Sequence, residues 1–198
     1  MEDPTAELEL LPAPGEERYS SLALVNTVIA LPAGRFVDLL DTVPAARRWL
    51  TEHDLAPADT DMRQMRASRL RALREQVRAL FAARTRGLPA PPAALSAVND
   101  ELTRVPTAPL LLWEDTSGPY RATPRPTTRI LDHALATLAA DAADLLTSAD
   151  AQRLTACGSA PCNRYLVRHG RRHWCSTRCG DRARAARAYA RRSGTGTE

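Results

Sequence analysis

All four cysteines of the chain fall between positions 157 and 179, in two close pairs: Cys157 with Cys162 and, after twelve intervening residues, Cys175 with Cys179. Four thiolates arranged this way can surround one tetrahedral Zn2+ from two knuckles at small loop-closure cost. Disulfides, unligated thiols and an iron–sulfur cluster are the competing uses of the same sulfurs. The flanking arginines and the absence of a secretory leader pattern in residues 1 to 17 favour the metal. His169 and His173 are spare donors beside a shell that four sulfurs already complete. Such a shell leaves no open coordination position, so a zinc here folds the segment and does not catalyse.

The elements that must hold this site are short. Tyr165, Leu166 and Val167 form one β-prone run and His173, Trp174 and Cys175 another, with Arg168, His169 and Gly170 able to turn between them as a hairpin. Ser176 or Thr177 then caps a helix running to Arg192. This places Cys157 and Cys162 on a knuckle, Cys175 at the hairpin exit and Cys179 in the first helical turn, a treble-clef-like order. At 100° per residue, Arg184, Arg187 and Arg191 share one stripe of that helix and Arg178, Arg182 and Arg192 another, with Ala183, Ala186 and Ala190 turned toward the hairpin. Together with Arg168, Arg171 and Arg172 they form a cationic face suited to phosphates and guanine edges. An adaptor that docks an acidic protein surface, a purely structural finger and an RNA reader stay open on these residues alone.

The run RRHWCSTRCGDRARAARAYARR resembles the CGNR zinc finger, with Asp181 in place of the asparagine of the CGNR tetrapeptide and His173 where an arginine is usual. Further upstream, SLALVNTV resembles the opening of the ABATE domain that accompanies this finger. The resemblance implies a bacterial stress-induced transcription regulator, one structural zinc and duplex DNA as partner. It also makes Asn26 a candidate ligand-sensing residue, although a side chain satisfying backbone groups is its plainer role.

The expected fold is mainly α with a small β-hairpin (α+β). A flexible acidic tail (1–17) precedes a helical domain (18–149), the zinc finger (150–193) and a disordered tail (194–198). A strand is expected at residues 7 to 11 and a serine-capped helix from Ser20 or Ser21. A second helix follows Thr42 and Pro44 and turns Trp49 and Leu50 inward. After Asp59 and Thr60 comes an amphipathic helix of six or seven turns. Its buried face is Met62, Met65, Leu70, Leu73, Val77, Leu80 and Phe81, and its solvated face carries Arg63, Arg66, Arg71, Arg74 and Arg78. Beyond the proline-rich break at residues 87 to 92, a helix to Arg104 turns Leu95, Val98 and Leu102 inward. Leu110 to Trp113 and Tyr120 to Thr123 then read as a hairpin, and Thr127 or Thr128 as the cap of a last helix striped by Leu131, Leu135, Leu138 and Leu145. Asp150 and Ala151 read as a hinge, so chelation is expected to melt the finger and leave the helical domain standing.

The net charge of +4 hides an asymmetry: residues 151 to 198 carry eleven arginines against Asp181 and Glu198. The base therefore sits at one end, over a mildly acidic remainder. No GxSxG, HExxH or phosphate-cradling glycine loop occurs, so the chain is not expected to be an enzyme. No apolar run approaches a membrane span, and a cytoplasmic location is expected. A homodimer and an effector for the helical domain are compatible with these features, but no heptad pattern specifies the first.

Overall fold

A computed structural model of the chain describes residues 11–105, 109–122 and 128–194. Most of the expected strand at 7 to 11, Thr127 as a cap, and residues 195 to 198 lie outside them. The elements are α1 (Ser20–Val25), β1 (Val28–Ala30), β2 (Phe36–Asp38), α2 (Val43–Glu52), α3 (Gln64–Arg86), α4 (Pro92–Arg104), β3 (Leu110–Glu114), β4 (Gly118–Ala122), α5 (Ile130–Thr147), β5 (Leu154–Ala156), β6 (Tyr165–Val167) and α6 (Thr177–Gly194). The strands form three antiparallel pairs, β1 with β2, β3 with β4 and β5 with β6.

The scaffold is a bundle of α3, α4 and α5, with α1 and α2 packed on it. Leu70, Leu73, Val77, Leu80 and Phe81 of α3 meet Leu131, Leu135, Leu138, Ala142 and Leu145 of α5 in one buried core. α3 stops at Gly87 in a Schellman arrangement, with Leu88 N–H donating to the Ala83 carbonyl at 2.9 Å and Gly87 N–H to that of Arg84 at 3.3 Å. α2 starts as its sequence suggests, Thr42 Oγ1 accepting from Ala45 N–H with Pro44 in the first turn. α1 departs from expectation, because no serine caps it. Asp141 of α5 accepts the Ser21 N–H at 2.8 Å, and burial pushes the carboxyl of this borrowed cap above its ordinary pKa.

Three helix-face assignments change. Met62 is buried from the segment before α3, whereas Met65, about 140° around the helix from Leu70, is exposed. Leu95 of α4 is half exposed. Arg74 is buried, because it sits four residues after Leu70 and three before Val77, inside the apolar stripe. Its guanidinium spans both carboxylate oxygens of Asp38 (2.5 and 2.8 Å), Glu75 (2.9 Å) and Thr27 Oγ1 (3.1 Å), tying α3 to β2 and the end of α1. Burial raises the pKa of Asp38, but hydrogen bonds from Arg74 and Leu40 N–H and the charges of Arg74 and Arg71 outweigh it and hold the carboxyl below its ordinary value.

Arg74→Met strands a carboxylate that still reaches some water, so the expected loss at neutral pH is about 2–3 kcal/mol, at or just under the ~3–5 kcal/mol of a fully buried pair that loses one partner. A depressed carboxyl pKa stabilises above the unfolded value near 4 and ceases to do so as pH falls through the folded one. The gap between wild type and variant in urea unfolding should therefore narrow below about pH 4.

Residues 11 to 17 are not a flexible tail. Ala13 is buried, Pro14 C=O accepts the Val167 N–H at 2.8 Å, and Glu16 pairs with Arg164 at 2.8 Å. Gly15, at φ +101°, lies so close to β6 that a Cβ would stand 2.9 Å from Val167 Cγ2. Nor is Asp150 in a hinge. It is buried and accepts from Tyr19 Oη (3.0 Å), Arg18 Nη1 (2.9 Å) and Arg153 Nη1 (2.9 Å). The C-terminal module is thereby pinned to the helices.

Candidate metal centre and arginine helix

The hairpin that holds the metal site is β5 with β6, in the register Leu154↔Val167, Thr155↔Leu166 and Ala156↔Tyr165. It replaces the expected pairing of 165–167 with 173–175. Residues 173 to 175 instead close the second knuckle: Gly158 N–H donates to His173 C=O (3.1 Å) and Cys175 N–H points at Cys157 Sγ (3.5 Å).

β6 is buried on both faces. Tyr165 and Val167 join the helical core, and Leu166 joins a second small core with Ala13, Cys157, Cys175 and Cys179. Asn26 fixes the strand, accepting Tyr165 N–H at 2.7 Å and donating to Tyr165 C=O at 2.8 Å and to Glu16 at 2.5 Å. These bonds occupy its amide, so the structure gives Asn26 a backbone-clamping role where a ligand-sensing one had been a candidate. Arg78 of α3 completes the joint by donating to the carbonyls of Asn163 and Val25 and lying over the Tyr165 ring at 5.7 Å.

Ser176 caps α6, its Oγ accepting Cys179 N–H at 3.2 Å, and so presents Cys179 from the first turn. The four Sγ atoms of Cys157, Cys162, Cys175 and Cys179 lie within 4.8 Å of one another, with Cys162–Cys175 and Cys175–Cys179 both at 3.6 Å. A tetrahedral shell with Zn–S near 2.3 Å has S···S edges of about 3.8 Å. Disulfides need about 2.05 Å. The donor set therefore fits one structural zinc, which would supply the cross-link between the two knuckles.

The thiols share protons in a way that a cation would replace. Hydrogen bonds from Cys162 and Cys175 pull the Cys157 thiol far down, while the same contacts push Cys162 and Cys175 up. Two arginines would offset part of the dianionic charge of a four-thiolate zinc shell. Arg182 Nη2 lies 3.2 Å from Cys179 Sγ. Arg164 is buried and bonded to Glu16 and the Leu11 carbonyl; burial lowers its pKa, but Glu16 and the sulfurs of Cys175 and Cys162 raise it more.

Beyond Gly180, α6 is exposed or half exposed on every described side chain. Gly180 allows the Trp174 indole to lie on the first turn, since a Cβ there would be 3.3 Å from Trp174 Cε3. Arg184 and Arg187 stand over the same ring at 5.8 and 5.5 Å, with Arg184 also paired to Asp181. Arg178 and Arg191 are exposed on the helix and Arg171 on the loop before Cys175. Arg172 is committed to the Trp174 and Cys175 carbonyls (3.0 and 3.3 Å). Arg168 stands elsewhere, half-buried where β6 exits, with its N–H on the Arg153 carbonyl and its own C=O accepting Arg153 Nε.

Sequence reasoning missed Arg164, Arg78 and the Trp174 platform. Arg164 carried a usable signal, lying two residues after Cys162 and beside the strand it helps to bury.

Two family models match the chain. Residues 20–149 match ABATE, described as "Putative stress-induced transcription regulator", and residues 153–192 match the CGNR zinc finger. No curated protein matches the chain. Both families are of regulatory or zinc-finger type, and no helix among the described residues is long and apolar enough to cross a membrane. With its ABATE region spanning most of its length and its four sulfurs converging within the finger, the chain belongs to the ABATE family and carries a C-terminal CGNR zinc finger.

Proposed function

We propose that the protein is a DNA-binding transcription regulator, in which the zinc aims α6 outward and the arginines of that helix contact phosphates and base edges. One observation carries this reading: α6 is fastened at its first turn through Cys179 and leaves the body of the protein solvent-covered, with Arg178, Arg184, Arg187 and Arg191 exposed along it. Stacking on Trp174 limits the freedom of Arg184 and Arg187, which reduces the entropy lost on binding a polyanion. The same stacking occupies the indole, so Trp174 is not offered as a base platform, and duplex DNA is favoured over single-stranded RNA. Arg182 and Arg172 serve the knuckle first, and Arg168 belongs to the β5–β6 side.

Full-length zinc-loaded protein should bind duplex DNA with an affinity that falls steeply with salt. Replacing Arg184, Arg187 and Arg191 together by glutamine should weaken binding at least tenfold and reduce the slope of log K against log salt by about 2–3. Fluorescence anisotropy across a salt series measures both. An unchanged slope would remove α6 from the interface, and no DNA binding at low salt would favour the adaptor reading.

A further inference from the structure

The β3–β4 hairpin takes no part in the zinc centre. It pairs Leu110↔Ala122, Leu111↔Arg121, Leu112↔Tyr120, Trp113↔Pro119 and Glu114↔Gly118. It also carries the densest exposed apolar set among the described residues: Leu110, Leu111, Leu112, Trp113 and Tyr120, with Leu111 71% and Trp113 73% exposed. By alternation Leu110, Leu112 and Tyr120 share one face of the hairpin and Leu111 and Trp113 the other, and exposed apolar side chains clustered on one short element mark an interaction site.

The backbone says which edge is usable. Strands of an antiparallel pair exchange hydrogen bonds at every second residue pair. Pro119 has no N–H to give, so its position faces outward, and by alternation Leu111 and Trp113 on β3 and Pro119 and Arg121 on β4 direct their remaining backbone groups away from the hairpin. On β4 that edge is blunted by a missing donor and a charge. On β3, among the described residues, no strand other than β4 pairs with it between Pro109 and Glu114.

We infer that β3 is a homodimerisation edge, two copies pairing it antiparallel about a two-fold axis at Leu112. In that register the outward N–H and C=O groups of Leu111 meet those of Trp113 from the second copy, so the strand is its own complement. It is also the register in which all five residues of both strands overlap. Glu114 lies at opposite ends of the two strands, which separates the two carboxylates by about 14 Å along the sheet, more than a Debye length. Each copy's second edge is the blunted one, so pairing closes at four strands and does not propagate into a filament. Two five-residue strands bury less than the ~1,200 Å² of a standard interface, the size range of transient association.

Sedimentation of the full-length zinc-loaded protein over about 1–200 μM should show a monomer–dimer equilibrium. Leu111→Pro removes an outward donor without touching a β3–β4 bond, and should weaken the dimer at least tenfold with an unchanged circular dichroism spectrum. In case that variant misfolds, Leu112→Cys provides an independent readout. Residue 112 meets itself across the axis at about 4.5 Å between Cα atoms, within disulfide reach, and should cross-link under mild oxidation far faster than Trp113→Cys. A monomer throughout the range, a dimer indifferent to Leu111→Pro, or equal cross-linking of the two cysteine variants would each overturn the inference. None of these measurements involves nucleic acid, so the edge and the DNA reading fail separately.

Discussion

Removing the zinc, by excess chelator or by Cys175→Ser, is expected to release one metal per chain and to lower the unfolding midpoint of the whole molecule. The reason is the strand that two cores share. Leu154, Tyr165 and Val167 pack with the helices, while Leu166 sits in the small core around the cysteines. Without the metal, the second knuckle is held by Leu166, Ala13, Trp174, the Arg172 side chain and a few backbone hydrogen bonds, and β6 loses much of the backing of its far face. Structural zinc supplies about 10–16 kcal/mol in isolated fingers, as much as or more than the ~5–15 kcal/mol that separates a whole domain from its unfolded state. Calorimetry with parallel metal quantification tests this. A bundle of α3, α4 and α5 that melts at its original temperature after zinc loss would show the two cores to be independent, as a hinge at Asp150 would have made them.

Asn26→Ala is expected to cost about 2–6 kcal/mol, since it leaves both the N–H and the C=O of Tyr165 buried without partners, at about 1–3 kcal/mol each. Alanine also removes one of the two donors to Glu16 Oε1, leaving that oxygen to Arg164 alone. Asn26→Asp keeps the acceptor for Tyr165 N–H but sets a second carboxylate against Glu16, so it should recover little. Urea unfolding of both variants, read by far-UV circular dichroism, decides between this clamp and a peripheral role. A loss below about 1 kcal/mol for alanine, the net value of one ordinary hydrogen bond, would mean that water reaches the Tyr165 peptide when the side chain is cut back.

The metal ligands were legible because four identical soft donors at short spacing have few other uses, and the main helices because their apolar residues recur with the helical period. What sequence reading missed arises from contacts between distant segments. Residue type puts Arg74 on the solvated face, although its spacing from Leu70 and Val77 places it inside; Asp38 and Thr27, outside its own helix, make that burial tolerable. β propensity alone points to residues 173–175 as the second strand of the finger hairpin. Knuckle closure took those residues, and Leu154–Ala156, too short to show a pattern, became the partner of β6. Residues 11 to 17 looked like a tail because acidic and proline-rich composition says nothing about a groove formed by Val167 and Arg164 far along the chain.

The Asn26–Tyr165 bonds bear on how the protein is made. The two residues lie 139 positions apart, so on a ribosome the first helix emerges long before the strand that finishes it. Until then the amide of Asn26 and the carboxylate of Glu16 face an open notch in the nascent bundle. Truncated chains ending before residue 165 should consequently be sticky, protease-sensitive species, and release of the last segment is the moment at which the N-terminal region becomes closed to solvent.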